Sequence, residues 1–527
     1  MAGAPHWRDP RLVMTVPPRS AAPIGKTIGE LAAAVPGAAF RGDPQTAVQD
    51  IQFDSRLIEP GGLFAALRGA DFDGHRFIDD ALARGAAALL VEEPVHADVA
   101  QLVVPDSRAA LAPLSAAFFG HPSRSLQTVG ITGTDGKTTT SYLLDSIVRA
   151  AGRRTGLIGT IAVRIGHDRE ERLAHQTTPE SNLMQRYLRD MVAAGVETAI
   201  VEATSHGLAM HRLDGTRFVV GGVTNITHEH LEFHKTLENY RRAKAILVER
   251  VASVGGVIVL NADDVGARAM EAFAHGGRVV WYSIRDAGAE IVARDVTVGN
   301  DGSRFLLRAH GSEERVSLRL LGTFNIANAL CAAGLALATG LDLPAVRRGL
   351  EETSGVPGRM DRIDVGQPFT VVVDYAHTPE SLRKILGLLR SLHPGRRLIA
   401  VSGSAGERDR TKRPLQGAVS AELADISVFT SEDPRNEDPA AIIREIAAGA
   451  LAAGGRRGED VFEVIDRRDA IAAAFAAARP GDCVLLAGKG HETSMIRGYE
   501  HRPWDEAATA RDLLIAGGYA RTAEQEQ

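Results

Sequence analysis

The chain has 527 residues, too many for one hydrophobic core, so two to four domains are expected. A net charge of −6 gives no global basic field to recruit nucleic acid, so an anionic ligand must be held by local groups. Two cysteines, Cys331 and Cys483, each in an apolar stretch, exclude a disulfide framework, and no apolar run approaches the ~18 residues of a membrane span. The opening "MAGAPHWRDPRLVM" lacks a signal-peptide run, so a cytoplasmic location and no membrane insertion are expected.

Residues 1–25 read as a disordered tail closed by "PPRS". From 26 to 125, short strands ("AVQDIQFDS", "AALLVEE") alternate with helical runs ("FIDDALARGA"), a small α/β unit. "GHPSRS" then reads as a linker, with Gly120 and Pro122 as breakers. From 126 to 357 the apolar strands "LQTVGIT", "ETAIVEA", "FVVGGVTNI" and "GGVIVLN" alternate with helices, the pattern of a doubly wound parallel sheet. Residues 289–320 read as hairpins turning at "GNDGS" and "HGSEE", and "GVPGR" as a second linker. A third α/β unit, 358–527, has strands "FTVVVDYAH", "RRLIAVSGS", "ADISVFTSE" and "DCVLLAGKG". The expected fold class is therefore α/β, with no fixed-period repeat.

The central unit carries "VGITGTDGKTTT" between a strand and a helix, the context a phosphate-binding loop needs. Gly133 and Gly136 let backbone amides approach phosphate oxygens at a helix N-terminus, Lys137 suits the β/γ-phosphates, and the Thr138 hydroxyl suits Mg²⁺. The generic pattern wants glycine where Ile131 stands. "VEATSHG" ends a strand at Glu202, where doubly wound sheets bind ligands. "NITHEHLEFH" sets His228, His230 and His234 beside Glu229 and Glu232: a plain surface loop if alone, a hard-cation site if it meets Glu202. Cysteine scarcity argues against structural zinc. Lys244, in "YRRAKAILVER", reads as a solvated helix lysine. In the third unit "TSEDPRNEDP" sets Arg435 among Glu432, Asp433, Glu437 and Asp438, either a solvated loop or a pocket that reads a zwitterion.

Together "TGTDGKTT", "HQTTPES", "VEATSHGLAMHRL", "NITHEHLEFH", "YRRAK", "GTFNIANAL", "GVPGRMDRID", "VVVDYAHTPESL", "GERDRTKRP" and "LLAGKGHE" run in one order from residue 130 to 492. This set resembles the Mur ligases, ATP-dependent amide-forming enzymes of peptidoglycan precursor synthesis. "FDSRLIEPGGLFAALRGADFDGHRFI" resembles the UDP-binding domain of the member that adds the third residue of the stem peptide. The resemblance covers nearly all of the chain after about residue 25. It implies three domains: an N-terminal UDP-binding domain, a central P-loop ATPase-like domain and a C-terminal Rossmann-like domain that binds the amino acid.

Carried over by position, the resemblance implies that Ser55, Arg56 and His75 meet the uridine and pyrophosphate of a nucleotide-sugar substrate. Thr177, Thr178, Thr204 and Arg212 would hold its sugar and peptide. Gly133, Thr134, Asp135, Gly136, Lys137, Thr138 and Thr139 would bind ATP, with Asn325 and Asn328 near adenine and Arg359 near phosphate. Asp374, Tyr375 and His377 would complete that site from the C-terminal domain. Thr138, Glu202, His230 and Lys244 would hold Mg²⁺, Lys244 as its carbamate (N6-carboxylysine), and with Lys137 the last three would be catalytic. Arg408, Asp433, Arg435, Gly488 and Glu492 would form the amino-acid pocket. The implied reaction makes an acyl phosphate of UDP-MurNAc-L-Ala-D-Glu with ATP, which the amine of a diamino acid attacks. The implied protein is a monomer with small-molecule substrates and no nucleic-acid partner.

The chain departs from the family pattern at Asp135 (usually asparagine), at "EHLE" for "DHLD", at Thr204 and Met210 (usually serine and glutamine), and at Glu432-Asp433 for Asp-Asn. Arg435 favours meso-diaminopimelate, whose far end carries a carboxylate that lysine lacks. Asp433 adds a charge that would weaken carboxylate binding and admit lysine. A folate-type ligase of the superfamily, the enzyme adding the terminal dipeptide, and a non-catalytic scaffold remain the rivals; the N-terminal segment and "DPR" argue against the first, and an intact "GKTT" with Glu202, His230 and Lys244 against the last.

Overall fold

The computed structural model describes residues 25–69, 73–166, 169–171, 176–227, 229–498 and 500–519. The expected tail, apart from Gly25, and His228 lie outside the described residues. Among these, three large sheets follow one another along the chain.

The first has five strands in the order Ala39–Arg41, Ala100–Val103, Ala88–Val91, Gly62–Ala65, Asp50–Gln52, parallel except at the first pair. The third has six: Asp361–Ile363, antiparallel, then Thr370–Asp374, Cys483–Ala487, Leu398–Ser402, Ile426–Phe429 and Val461–Glu463, all parallel. Four of these parallel strands read as short apolar runs because helices cover both faces.

The central sheet has eleven strands. Its parallel middle runs Thr155–Ile158, Thr198–Glu202, Gln127–Thr132, Val220–Val223, Val257–Asn261 and Arg278–Ser283. The chain leaves Gln127–Thr132 to one side and later returns to build the other, so the carboxyl end of that strand lies at a topological switch point, where such sheets bind ligands. The hairpins read from residues 289–320 are strands Ile291–Gly299, Gly302–Ala309 and Ser312–Leu318. They continue the same sheet, because Tyr282 pairs with Ile291.

The stretch read as the first linker is packed instead. Pro122–Ser125 forms a 3₁₀ turn, Pro122 and Ser123 are buried, and the Ser123 hydroxyl accepts from the Arg217 amide at 3.0 Å. The helix after the phosphate loop, Lys137–Ala150, is braced by Leu343–Glu352 at such close range that a Cβ on Gly349 would collide with the Ile147 backbone. The apolar helix Thr323–Ala338 fills the core beside it; Leu330 and Leu335 are wholly buried, and trimming either to alanine would cost about 2–5 kcal/mol.

Candidate active site

Residues 133–136 leave strand Gln127–Thr132 and enter helix Lys137–Ala150. Gly133 and Gly136 have φ of +150° and +84°, and a Cβ at either would collide with Thr224 Oγ1 or Asn328 Oδ1. The loop is fixed from the neighbouring strand: the Asp135 amide donates to Asn225 Oδ1 at 2.9 Å, and Thr224 Oγ1 donates to the Asp135 carbonyl at 2.6 Å. Lys137 Nζ donates to the carbonyls of Gly133 and Thr134 at 2.8 and 2.9 Å.

Lys244 is not the solvated residue its sequence context suggests. Helix Leu237–Ser253 points it inward, so it is 1% exposed, and Nζ donates to the Gly133 carbonyl at 2.6 Å. Burial, reinforced by the nearby Lys137 charge, lowers its pKa well below the usual lysine range. Burial thus disfavours the ammonium form of this amine.

Glu202 is wholly buried, and its carboxylate accepts from Thr138 Oγ1 at 2.9 Å, Thr160 Oγ1 at 2.8 Å, the Thr160 amide at 3.1 Å and Ser141 Oγ at 3.2 Å. Among the described residues no lysine or arginine pairs with it within 4 Å. A buried carboxylate ringed by hydroxyls is the donor set of a hard cation. The four residues expected at the metal are not one preformed cage. His230, at φ 55°, lies 3.7 Å from Glu229 and 4.7 Å centroid to centroid from His206, while Lys244 faces Gly133. Among the described residues no group of three or more His, Cys, Asp or Glu side chains is arranged to hold a metal alone.

Thr177, Thr178, Thr204 and Arg212 are drawn together beside Glu202. Thr178 Oγ1 donates to the Glu202 carbonyl at 2.8 Å and meets Thr204 Oγ1 at 2.9 Å; Thr177 Oγ1 meets Thr160 Oγ1 at 3.1 Å; Arg212 Nη1 donates to the Thr178 carbonyl at 3.1 Å. Ser55, Arg56 and His75 lie in the first unit, outside the lining of the main cavity. There Arg56 is ion-paired to Asp54 at 2.6 Å. His75 Nδ1 meets Asp73 at 2.6 Å while Nε2 accepts from the Glu92 amide at 3.0 Å.

That cavity, of about 560 Å³, is lined from both sides of the second expected linker. The phosphate loop, His230, Asn325 and Asn328 form one wall and Arg359, Asp374, Tyr375 and His377 the other. Asp374 is buried, and its oxygens accept from the amides of Met360 and Ala376 at 2.7 and 2.8 Å. The Arg359 guanidinium stacks on Tyr375 at 4.5 Å. His377 Nδ1 bonds the Tyr375 carbonyl at 2.9 Å, and burial together with the Lys412 charge pushes its pKa down to about 4. Lys384, which the sequence reading missed, reaches across to Asp135 at 3.3 Å, so the unusual acid of the loop has a counter-ion.

In the loop around Arg435, Glu432 and Asp433 are buried. Its acids serve other partners: Asp433 pairs with the wholly buried Lys489 at 2.8 Å, Glu437 with Arg413 at 2.9 Å, and Asp438 caps the helix Pro439–Ala452. Lys489 also meets Glu492 at 2.6 Å, and burial raises the Glu492 pKa. Asp433 Oδ1 further accepts from the Ile496 amide at 3.0 Å, while the Arg435 amide donates to the Ile496 carbonyl at 3.0 Å. Arg435, at φ 53°, has a buried Nε without a hydrogen-bond partner among the described residues, as does Glu432 Oε2. Burial, then the charge of Arg408, lowers the Arg435 pKa. A Cβ on Gly488 would crowd Glu432 Oε2 at 2.9 Å.

Comparison with known proteins matches three family profiles: the Mur ligase family catalytic domain over residues 47–119, the Mur ligase middle domain over 131–336, and the Mur ligase glutamate ligase domain over 358–490. The chain is 48% identical over 487 residues to a UDP-N-acetylmuramyl-tripeptide synthetase of Roseiflexus sp., covering 90% of this chain and 95% of that protein. It is 39% identical over 489 residues to the UDP-N-acetylmuramoyl-L-alanyl-D-glutamate–2,6-diaminopimelate ligase of Bacillus licheniformis, covering 91% and 97%. A solved structure of a ligase of that second name superposes with a TM-score of 0.66 at 29% identity, covering 94% of this chain and all of that one.

Proposed function

The chain belongs to the Mur ligase family, and we propose that it is the member that joins meso-diaminopimelate to UDP-MurNAc-L-Ala-D-Glu at the expense of ATP. It is an ATP-dependent acid–amino-acid ligase. The observation that carries the choice of amino acid is the state of Arg435. Asp433 and Glu437 are paired with Lys489 and Arg413, cations they share with Glu492 and Glu445, and the buried Nε of Arg435 is left for a carboxylate. The unpartnered oxygen of Glu432 on the same loop suits the adjoining ammonium. The ion pair with Lys489 offsets part of the charge that Asp433 sets against Arg435, which supports diaminopimelate over lysine.

The reading assigns residues 26–125, 126–357 and 358–527 to UDP, ATP and amino-acid domains. In the central domain Lys137 neutralises charge on the transferring phosphoryl group as the terminal carboxylate of the dipeptide attacks it. Arg359, with Asp374, Tyr375 and His377, closes the nucleotide from the opposite wall. Glu492, paired with Lys489, joins Glu432, Gly488 and Arg408 in the amino-acid pocket, and the attacking amine expels phosphate from the acyl phosphate. Ser55, Arg56 and His75 take the nucleotide end, and Thr177, Thr178, Thr204 and Arg212 the sugar and peptide.

The oxygen donors of Thr138 and Glu202 fit Mg²⁺, which binds through few carboxylates plus substrate phosphates rather than in an all-protein cage. Mg²⁺ supplies charge neutralisation at the phosphates when bound. Lys244, whose ammonium form burial disfavours, is suited to take up CO₂ as a carbamate, which would place a carboxylate-like ligand beside the phosphate loop. The protein is read as a cytoplasmic monomer; no helix among the described residues is long and apolar enough to cross a membrane. The test is phosphate release from ATP with UDP-MurNAc-L-Ala-D-Glu and a panel of amino acids. Release that depends on the nucleotide dipeptide and is strongest with meso-diaminopimelate is expected; a preference for lysine, or release without the dipeptide, would overturn the reading.

A further inference from the structure

Beside the threonines of the candidate substrate site lies a buried cluster of two arginines and one carboxylate. Glu180 precedes helix Ser181–Ala193 as its N-cap but makes no side-chain capping bond, so its carboxylate is free to point elsewhere. Both of its oxygens accept from Nη1 of Arg108, each at 2.8 Å. Arg212 Nε stands 3.0 Å from Oε1, an ion-pair contact without hydrogen-bond alignment, and Arg212 Nη1 donates to the Thr178 carbonyl. The side chains are 18%, 7% and 12% exposed for Arg108, Glu180 and Arg212.

Two guanidiniums share the one carboxylate that both touch in a largely dry setting, so positive charge is in excess at Glu180, while Glu92 and Asp106 line the same cleft as Arg108. Burial and the Arg108 charge both act against the Arg212 charge, with Glu180 opposing them. An excess charge of this kind is stabilised by an anion, and a carboxylate is the anion that an arginine fork fits. Arg108 belongs to the helix Ser107–Phe118 of the first unit, where Asp106 caps its amide at 2.9 Å. The other two members belong to the central unit.

We propose that Arg108 is a positioning residue for the peptide end of the substrate. By occupying both oxygens of Glu180 it fixes the carboxylate that orients Arg212, which then presents its charge to a carboxylate of the nucleotide-sugar dipeptide. The inference rests on the substrate reading above and extends it: the first unit contributes to recognition of the peptide as well as the nucleotide. Simple adhesion between units is carried by other contacts, on the helix Ser181–Ala193. Asn182 Nδ2 donates to the Ile51 carbonyl at 3.0 Å, and Arg186 pairs with Asp50 at 2.7 Å. These remain when Arg108 is replaced.

The experiment compares Arg108→Ala, Arg108→Lys and the adhesion control Arg186→Ala in the full chain, reading Tm and the KM for UDP-MurNAc-L-Ala-D-Glu and for ATP. Arg108→Ala is expected to raise the dipeptide KM about tenfold, with the ATP KM moved less than about twofold. Arg108→Lys, which keeps the charge but not the fork, should fall between it and the unaltered protein. Arg186→Ala should lower Tm without moving the dipeptide KM. Combined with Arg212→Lys, Arg108→Ala should cost less than the sum of the two single changes, since both act on one contact. An unchanged dipeptide KM, additive losses, or equal KM effects from Arg186→Ala would overturn the inference while leaving the function intact. An unaltered protein that does not turn over this substrate would overturn the substrate reading, and this inference with it.

Discussion

Replacing Asp433 with asparagine removes one charge and almost no volume, so it isolates what that charge does. The amide oxygen can still accept from Lys489 Nζ and from the Ile496 amide, which Asp433 Oδ1 meets at 2.8 and 3.0 Å. What disappears is the ion pair with a lysine that has no solvent contact. At 2.8 Å and an effective dielectric of ~20 the attraction is about 6 kcal/mol gross. Glu492 stays 2.6 Å from the same ammonium, and the hydrogen bonds persist, so the expected net loss is about 1–3 kcal/mol. For a domain of this size that is roughly 2–10 °C in Tm. Asp433 also adds to the forces raising the Glu492 pKa, so its neutralisation should lower that pKa and move the acid limb of the pH profile of amino-acid KM to lower pH. Preference for meso-diaminopimelate should survive. Melting curves and amino-acid KM from pH 5 to 9 provide the assay. A tenfold gain in diaminopimelate affinity with no loss of Tm would show that the charge faced the substrate, refuting the pairing argument.

Arg435→Ala should reduce kcat/KM for meso-diaminopimelate by ~10² or more, as losing a desolvated charge pair of ~2–5 kcal/mol would, with little change for lysine; steady-state kinetics with both amino acids decides it. Lys244→Ala should lose most activity, and acetate or formate should restore part of it, whereas full activity in the alanine variant would remove any need for a carbamate. Lys137→Ala should abolish phosphoryl transfer but leave UDP-MurNAc-L-Ala-D-Glu binding largely intact by calorimetry. His377, ordinarily near 6.5, is held to about 4 in the folded chain, so the unfolded chain binds the extra proton first. The stability it contributes is present above pH 6.5 and lost as pH falls toward 4; His377→Gln should flatten Tm against pH across that window.

The parts of the site that could be read from the sequence are those made by neighbouring residues. Gly133, Gly136, Lys137 and Thr138 lie within six positions, and a strand before them and a helix after them fix their geometry almost completely. The alternation of apolar runs likewise announced the parallel sheets, because strands covered on both faces have few polar positions. Lys244 was misread because helix periodicity alone does not say that a lysine faces a loop 111 residues upstream. The partners of the acids around Arg435 were hidden for the same reason. Lys489 and Arg413 lie 56 and 24 positions away, and adjacency in the chain gives no sign of them. Arg108 with Glu180, 72 positions apart, left no local signal at all.

The contact between Asp135 and Lys384 spans 249 positions and ties the phosphate loop to the helix Pro379–Leu392 of the third unit. Both side chains are more than two-fifths exposed, so the pair adds little to melting resistance, on the order of 0–1 kcal/mol. Its effect lies in the statistics of arrangement. Half to one kcal/mol weights the juxtaposed form of the two units about two- to fivefold over separated forms. Because an ion pair in water is screened over ~8 Å at physiological ionic strength, that weighting weakens as salt rises. Ionic strength thus bears on how the two walls of the cavity meet, and an asparagine at position 135 would remove this pair's share, leaving Lys384 to Glu380 at 2.8 Å.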